Sequence, residues 1–410
     1  MKWWFRRPLY LQIVIGIAVG VGLGLALGPR ASIIKPAGDI FLRLLTMLIM
    51  PLTFFTLVSG MTKLGSLRSL RRVGGWIVLC YAVFSTIATG LGIIAALIMK
   101  PGHEAAGLLD EGARVEAGTL SLGDQVVSWF PSNPFEAFAQ GNLFQVIVFA
   151  LIVGIALLAM RERAGKLMAL ADDAASLMIK VTDLVMQVSP YGILALVANM
   201  VGTMEVRILK DMARFVGANI AGQIVLLSLF YPIVLRSIGR LPPWWFYRQV
   251  SPALLVAAST TSSGAALPVA MRVADENLGI PGNVWGFSLP LGATMNQNGM
   301  AVAIGAIAVF ASNLYSVPLT IPLLLKFVLL GLILSAGTPG VKGGGIVISG
   351  MLLQTLGLPL TLVPLLASIW PVIDVGHTTN NVAGDLVGTA VVANRMGLLD
   401  KAKLPFAKIL

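Results

Sequence analysis

Asp374-Val-Gly-His377-Thr378-Thr-Asn-Asn381-Val-Ala-Gly384-Asp385 is a polar stretch flanked by apolar runs, on a segment long enough to cross a bilayer. Read as a helix, Asp374, Thr378, Asn381 and Asp385 are spaced by four, three and four, so they share one face as a stripe of acidic and amide oxygens. His377 sits beside that stripe. Ionisable groups at membrane depth persist only where they face a bundle interior or a wet cavity, which points to a substrate or ion pathway. The plainer reading is a polar cluster satisfied between helices, or the cytoplasmic end of a span.

Composition sets the context for the stripe. The chain has 410 residues, 57% hydrophobic and 11% charged, with repeated apolar runs of bilayer-spanning length, so it reads as an all-α polytopic membrane protein. A single cysteine, Cys80, excludes a disulfide framework and a cysteine-based metal cluster. Two histidines, His103 and His377, leave little material for a zinc site, and no cofactor is expected. The net charge of +11 would suit nucleic acid, but the basic residues gather in loops between apolar runs, as they do on the cytoplasmic side of membrane proteins. Lys2, Arg6 and Arg7 precede the first span, Lys63, Arg68, Arg71 and Arg72 follow the second, Arg161, Arg163 and Lys166 the fourth, and Arg236, Arg240 and Arg248 the sixth. The segment 101–140 carries Glu104, Asp110, Glu111, Glu116 and Asp124 instead, so it reads as external. The expectation is a multi-pass protein of the inner (plasma) membrane with both termini in the cytoplasm and no nucleic-acid partner.

The first spans are ordinary: Leu9 to Leu27, Phe41 to Met61 with Pro51 inside, Trp76 to Met99, and Leu143 to Met160. A fifth contains Val188-Ser-Pro-Tyr-Gly192 after an amphipathic linker around Asp172 and Asp173, and a sixth runs from Phe215 to Leu235. The later part differs, because small and polar residues interrupt its apolar stretches. Leu254 to Met271 holds Ala-Ser-Thr-Thr-Ser-Ser-Gly-Ala-Ala-Leu-Pro, and Leu329 to Leu353 holds Ser-Ala-Gly-Thr-Pro-Gly-Val-Lys-Gly-Gly-Gly. Each has apolar arms too short to cross alone around a Gly/Pro/Ser tip, the pattern a re-entrant hairpin requires. Between them Gly292-Ala-Thr-Met-Asn-Gln-Asn-Gly299 places amides inside a seventh apolar segment. Interrupted segments in pairs are the sequence mark of a transporter midplane site, where unwound carbonyls meet cations and helix N-termini meet anions.

These motifs together resemble the glutamate transporter homologue family, the dicarboxylate/amino acid:cation symporters, as a divergent prokaryotic-type member. The serine-rich tip of the first hairpin is Thr261-Ser262-Ser263-Gly264 before Leu267-Pro268-Val269. The seventh-span motif Asn-Met-Asp-Gly-Thr stands here as Asn296-Gln297-Asn298-Gly299-Met300, and the second tip as Gly340-Val341-Lys342-Gly343-Gly344-Gly345. The eighth-span pattern Asp-x-x-Arg-Thr-x-x-Asn-x-x-Gly-Asp stands as Asp374 to Asp385, and Pro131-Ser-Asn-Pro-Phe135 and Gln145-Val-Ile-Val-Phe149 are also family-like. The match runs in order over essentially the whole chain.

The resemblance implies eight transmembrane helices plus two re-entrant helical hairpins, inverted repeats, and a homotrimer whose transport domains move like elevators. Residues 1–72 would hold scaffold spans one and two, 73–100 transport-domain span three, 101–206 the external loop with scaffold spans four and five, and 207–410 the transport-domain core. It implies a substrate set of Ser262, Ser263, Val341, Gly343, Asp374, His377, Thr378 and Asn381, with Asp374 on the substrate ammonium, Thr378 and Asn381 on its backbone polar groups, and the first tip on its carboxylate. Asp385, Asn296, Asn381 and the Gly292 carbonyl would form one sodium site; Thr294, Ser335, Ala336 and Thr338 would lend carbonyls to a second.

Departures from the pattern bear on function. His377 stands where acidic-substrate members have arginine, and a histidine lacks the fixed bidentate fork, so preference for an acidic side chain is weakened. Asn298 and Met300 replace the Asp and Thr of the seventh-span motif, and Phe84 replaces a threonine beside Tyr81 and Ser85. All three changes strip oxygen or charge from a further cation site, so fewer sodium ions or protons are expected to drive transport. Lys342 replaces a hairpin proline. The expected function is symport of a small amino acid or C4-dicarboxylate; an anion-conducting channel of the same architecture is the alternative. An intramembrane hydrolase using Ser262 or Ser263 with His377 and Asp374 lacks the Gly-x-Ser-x-Gly elbow.

Overall fold

The computed structural model describes residues 9–62, 74–106, 127, 130–203, 206–338 and 344–400. Among them the chain is entirely helical. Five stretches are long and apolar enough to cross a membrane, namely Leu11–Phe41, Gly75–Met99, Val206–Ser237, Val284–Leu314 and Leu360–Arg395. The second and fourth expected spans appear in that reckoning only as the shorter stretches Met50–Ser59 and Gln145–Met160. Much of the basic-loop and acidic-loop reading, with Val341, Lys342 and Gly343, lies outside the described residues.

Helix α1 (Leu9–Leu27) turns through Gly28–Ile34 into α2 (Lys35–Thr62), which carries Pro51. The glycines of α1 explain its seating. A Cβ at Gly16 would lie 2.6 Å from the Pro190 carbonyl oxygen and one at Gly20 2.8 Å from that of Leu194, so the two backbones approach as in other small-residue membrane interfaces. Helix α3 is Gly75–Met99, and the short α4 (Pro134–Gln140) is capped by Asn133, whose side chain accepts from the amides of Phe135 and Glu136. After α5 (Leu143–Met160), the expected fifth span divides at Val188 into α6 (Gly165–Gln187) and α7 (Ser189–Thr203). Pro190 causes the division, since a proline fits the first turn of a helix and not its interior. Helices α1, α2, α5, α6 and α7 pack mainly on one another.

The remaining helices surround the polar stripe. Helix α8 (Val206–Val225) continues through a π turn, Leu226–Phe230, into α9 (Tyr231–Ser237). Helices α10 (Pro243–Thr260) and α11 (Ser263–Glu276) form a two-helix unit whose tip is Thr261–Ser262. Thr261 takes a left-handed conformation, φ 48°, and Ser262 caps α11 by accepting from the Ala265 amide at 3.3 Å. The seventh segment is interrupted as its amides suggested. Helix α12 (Gly282–Met295) stops, Asn296 and Gln297 take non-helical angles, and α13 (Asn298–Leu314) begins. Within Val284–Leu314, 94% of the apolar window is buried, so this break lies deep in the bundle. Helix α14 (Ile321–Ala336) ends at Gly337, α15 (Gly344–Thr355) follows, and α16 (Val363–Arg395) carries the whole stripe on one unbroken helix. Helix α16 packs on α8, α10, α11, α12, α13 and α15.

Candidate functional site

A helix N-terminus leaves amides without partners, and the break before α13 creates such a terminus beside the stripe. Asn381 takes up one of them, its Oδ1 accepting from the Gly299 amide at 2.7 Å, while its Nδ2 donates to Gln297 Oε1. Gln297 Nε2 donates in turn to the Ala293 carbonyl at 2.8 Å. These bonds lock the broken segment to the stripe. Around the junction lies a cavity of about 20 Å³ lined by Thr261, Ser263, Gln297, Met300, Thr338, Gly345, Asp374, His377, Thr378 and Asn381. One space therefore draws side chains from the first tip, the interrupted segment, both sides of the second tip and α16.

Two charged or chargeable groups face it. Asp374 keeps 17% of its side chain exposed, and no arginine or lysine pairs with it among the described residues. His377 is buried, with Nδ1 3.8 Å from Asp374 Oδ1 and Nε2 3.0 Å from Asn219 Oδ1. The longer distance exceeds a hydrogen bond, so Nδ1 is a buried polar atom without a partner.

A second polar cluster lies further along α16. Asp385 is buried, and its Oδ1 accepts from Asn296 Nδ2 at 2.7 Å. Gly292 leaves room for the carboxylate, because a Cβ there would collide with Asp385 Oδ1. The Gly292 carbonyl accepts from the Asn296 amide at 2.8 Å and retains a second lone pair. Asn296 Oδ1 is buried with no hydrogen-bond partner. An unpaired carboxylate beside an unused carbonyl oxygen is the chemistry a hard cation takes, and such buried groups otherwise cost stability. Asn298 is the contrast. Its Oδ1 accepts from Ser85 Oγ at 3.0 Å and its Nδ2 donates to Tyr231 OH at 3.0 Å, while Tyr231 OH donates to the Asn380 carbonyl at 3.0 Å. Phe84 sets an apolar ring 5.8 Å from that of Tyr231, tilted at 54°. That corner satisfies itself and offers a cation no free carboxylate.

Of the residues expected at the site, Ser263, Asp374, His377, Thr378, Asn381 and Thr338 line the cavity, and Asn296, Asp385 and Gly292 meet at the second cluster. Ser262 is used as the cap of α11, and its neighbour Thr261 lines the cavity in its place. Thr294 Oγ1 donates back to the Leu291 carbonyl at 2.9 Å, and Ser335 Oγ to that of Leu332 at 3.2 Å. Ala336 lines a separate apolar cavity of about 310 Å³, with Met295 and Leu57. Thr261, Gln297, Met300 and Gly345 stood in the motifs without being assigned to the substrate site, and Asn219 and Gln223 were not singled out in advance. The last two carried a legible signal, amides four apart on the apolar second half of α8.

The chain is similar to known proteins over most of its length. The proton/glutamate-aspartate symporter of Bacillus subtilis (strain 168) is 28% identical over 373 residues, 88% of each chain. The C4-dicarboxylate transport protein of Anaeromyxobacter sp. (strain K) is 28% identical over 408 residues, 97% of this chain and 92% of that one. The protein of that name from Laribacter hongkongensis (strain HLHK9) is 29% identical over 409 residues, with the same coverage. A sequence profile of the Sodium:dicarboxylate symporter family matches residues 9–395. With that match over nearly its whole described length, and a deep polar site set among membrane-spanning helices, the chain belongs to the sodium:dicarboxylate symporter family, integral membrane transporters and not enzymes.

Proposed function

We propose that this chain is a secondary active symporter that moves a small amino acid, or failing that a C4-dicarboxylate, using a sodium or proton gradient. The observation that carries this reading is the shared cavity of the four interrupted or polar segments, with Asp374 on its wall and no arginine or lysine paired with it among the described residues. A carboxylate at membrane depth needs a counter-charge, and a substrate ammonium supplies one. The cation is carried at Asp385, Asn296 and Gly292, in smaller number than in relatives with a full ligand set, because Asn298 and Phe84 close the further site. Eight spans, the re-entrant hairpins, a homotrimer, the inner membrane and cytoplasmic termini complete the proposal. So does the division into scaffold (1–72, 101–206) and moving parts (73–100, 207–410), which is supported by the packing of α1, α2 and α5–α7 mainly on one another.

The cavity holds about a single water, so a substrate enters only after one wall moves. In proteoliposomes, saturable uptake of an amino acid or succinate driven by an imposed sodium or proton gradient is expected. Non-saturating anion flux without coupling would favour the channel reading, and no gradient-driven uptake would sink the symporter one. Gating is tested separately by Thr261→Cys with Thr338→Cys on a Cys80→Ala background. Both positions line the cavity, so oxidation is expected to block uptake and reduction to restore it. Full uptake by completely cross-linked protein would show that these tips need not separate.

A further inference from the structure

His377 meets two different environments at its two ring nitrogens. Nε2 points away from the cavity to Asn219 of α8, and Nδ1 is turned toward Asp374, which lines it. The ring is held by the buried Trp370, whose ring centre lies 5.2 Å away at 52°. Which nitrogen carries the proton decides whether the substrate meets a donor or an acceptor.

A backbone carbonyl settles that question through two amides. The Ile373 carbonyl oxygen can only accept, and the Gln223 side-chain atom facing it at 3.4 Å is therefore the amine Nε2. The same Nε2 faces an atom of Asn219, which must accept and so is Oδ1. Asn219 Oδ1 also faces His377 Nε2 at 3.0 Å, so Nε2 bears the hydrogen. Gly376 makes this seat available, because a Cβ there would run into Gln223 Oε1. In the neutral ring Nδ1 is then a bare lone pair, 3.8 Å from Asp374 Oδ1.

We infer that Asn219 and Gln223 are positioning residues that hold the His377 proton on Nε2, so that the cavity presents the Asp374 carboxylate and the His377 Nδ1 lone pair as two acceptors 3.8 Å apart. With Asp374 answered by the substrate ammonium, the Nδ1 lone pair beside it selects a side chain that brings a donor: an amino acid with a hydroxyl or a carboxamide, in preference to aspartate or a dicarboxylate. This substrate class rests on the amino-acid reading above; the tautomer does not. A side-chain carboxylate placed against that lone pair leaves both groups without a donor, and sites that demand a hydrogen bond discriminate strongly against ligands that cannot make it.

The chain has two histidines, so His103→Gln leaves one ring to observe. Protein labelled with nitrogen-15 histidine and held in lipid without substrate is expected, near neutral pH, to show a protonated Nε2 and a bare Nδ1. A protonated Nδ1, alone or with Nε2, overturns the inference and needs no further variant to do so. In uptake competition, asparagine or serine is expected to outcompete aspartate. Asn219→Leu is expected to lower that ratio on the order of tenfold and to replace the single tautomer signature by a mixture. Gln223→Leu should have the same sign and a smaller size, because Asn219 is then free to turn. A wild-type ratio in Asn219→Leu would overturn the positioning role. Uptake of dicarboxylates alone would remove the amino-acid reading and the substrate class with it, while the spectrum would still decide the tautomer.

Discussion

Asp374→Asn is expected to abolish amino-acid uptake. Its carboxylate is partly buried, 17% exposed, and its one ion-pair contact among the described residues, His377 Nδ1 at 3.8 Å, is beyond hydrogen-bond reach. A bound ammonium would be its main electrostatic partner, and removing one member of such a buried pair costs roughly 2–5 kcal/mol, about thirty-fold to a few thousand-fold in Kd. Asparagine preserves the shape, so folding is expected to persist, with a thermal midpoint near that of the parent. The sign of the effect also separates substrate classes. A dicarboxylate brings no ammonium, and Asp374 then repels it, so the same substitution should strengthen succinate binding. Calorimetric titration of both ligands would measure this. Wild-type amino-acid affinity in the variant would show that Asp374 does not hold the ammonium.

Asp385→Asn is expected to uncouple transport from its driving ion. Asp385 is buried, accepts from Asn296 at 2.7 Å, and has no ion-pair partner among the described residues. A cation held by Asp385, the Gly292 carbonyl and the unused Asn296 oxygen answers that charge; a bound proton answers it otherwise. In the sodium case, ion at about a hundred times its Kd stabilises the folded protein by roughly 2.7 kcal/mol. That upward shift in thermal midpoint should vanish in Asp385→Asn. In the proton case sodium shifts nothing, and substrate binding is strong while the carboxyl is protonated and weakens as pH rises through its titration; Asp385→Asn flattens that profile. The companion variant is Asn298→Asp. It puts a carboxylate between Ser85 and Tyr231 and is expected to add a sodium dependence absent from the parent. Steep sodium cooperativity in the parent itself would show that Phe84, Asn298 and Met300 had not closed a site.

Several features of this protein follow from local order in the sequence. The stripe is legible because the helical period is a property of the chain, and Asp374, Thr378, Asn381 and Asp385 do lie along α16. The break at Asn296–Gln297 and the tip at Thr261–Ser262 are also local signals, since amides and serines compete for backbone hydrogen bonds and favour caps and turns. The glycines of α1 suit a close interface, but only the fold names the partner, which is α7.

Tertiary structure decided who meets whom. Sequence places Ser262 and Thr261 side by side, but only the fold makes one a helix cap and turns the other to the cavity. It reveals Asn298 as an amide with both ends engaged and Asn296 as one with a free oxygen, two residues apart and identical in type. It also brings Asn219 of α8 against His377 of α16, 158 positions away along the chain. A sequence fixes which face of a helix is polar. The atom that face meets depends on the rotation and depth of every neighbouring helix, and those are set by packing over the whole bundle.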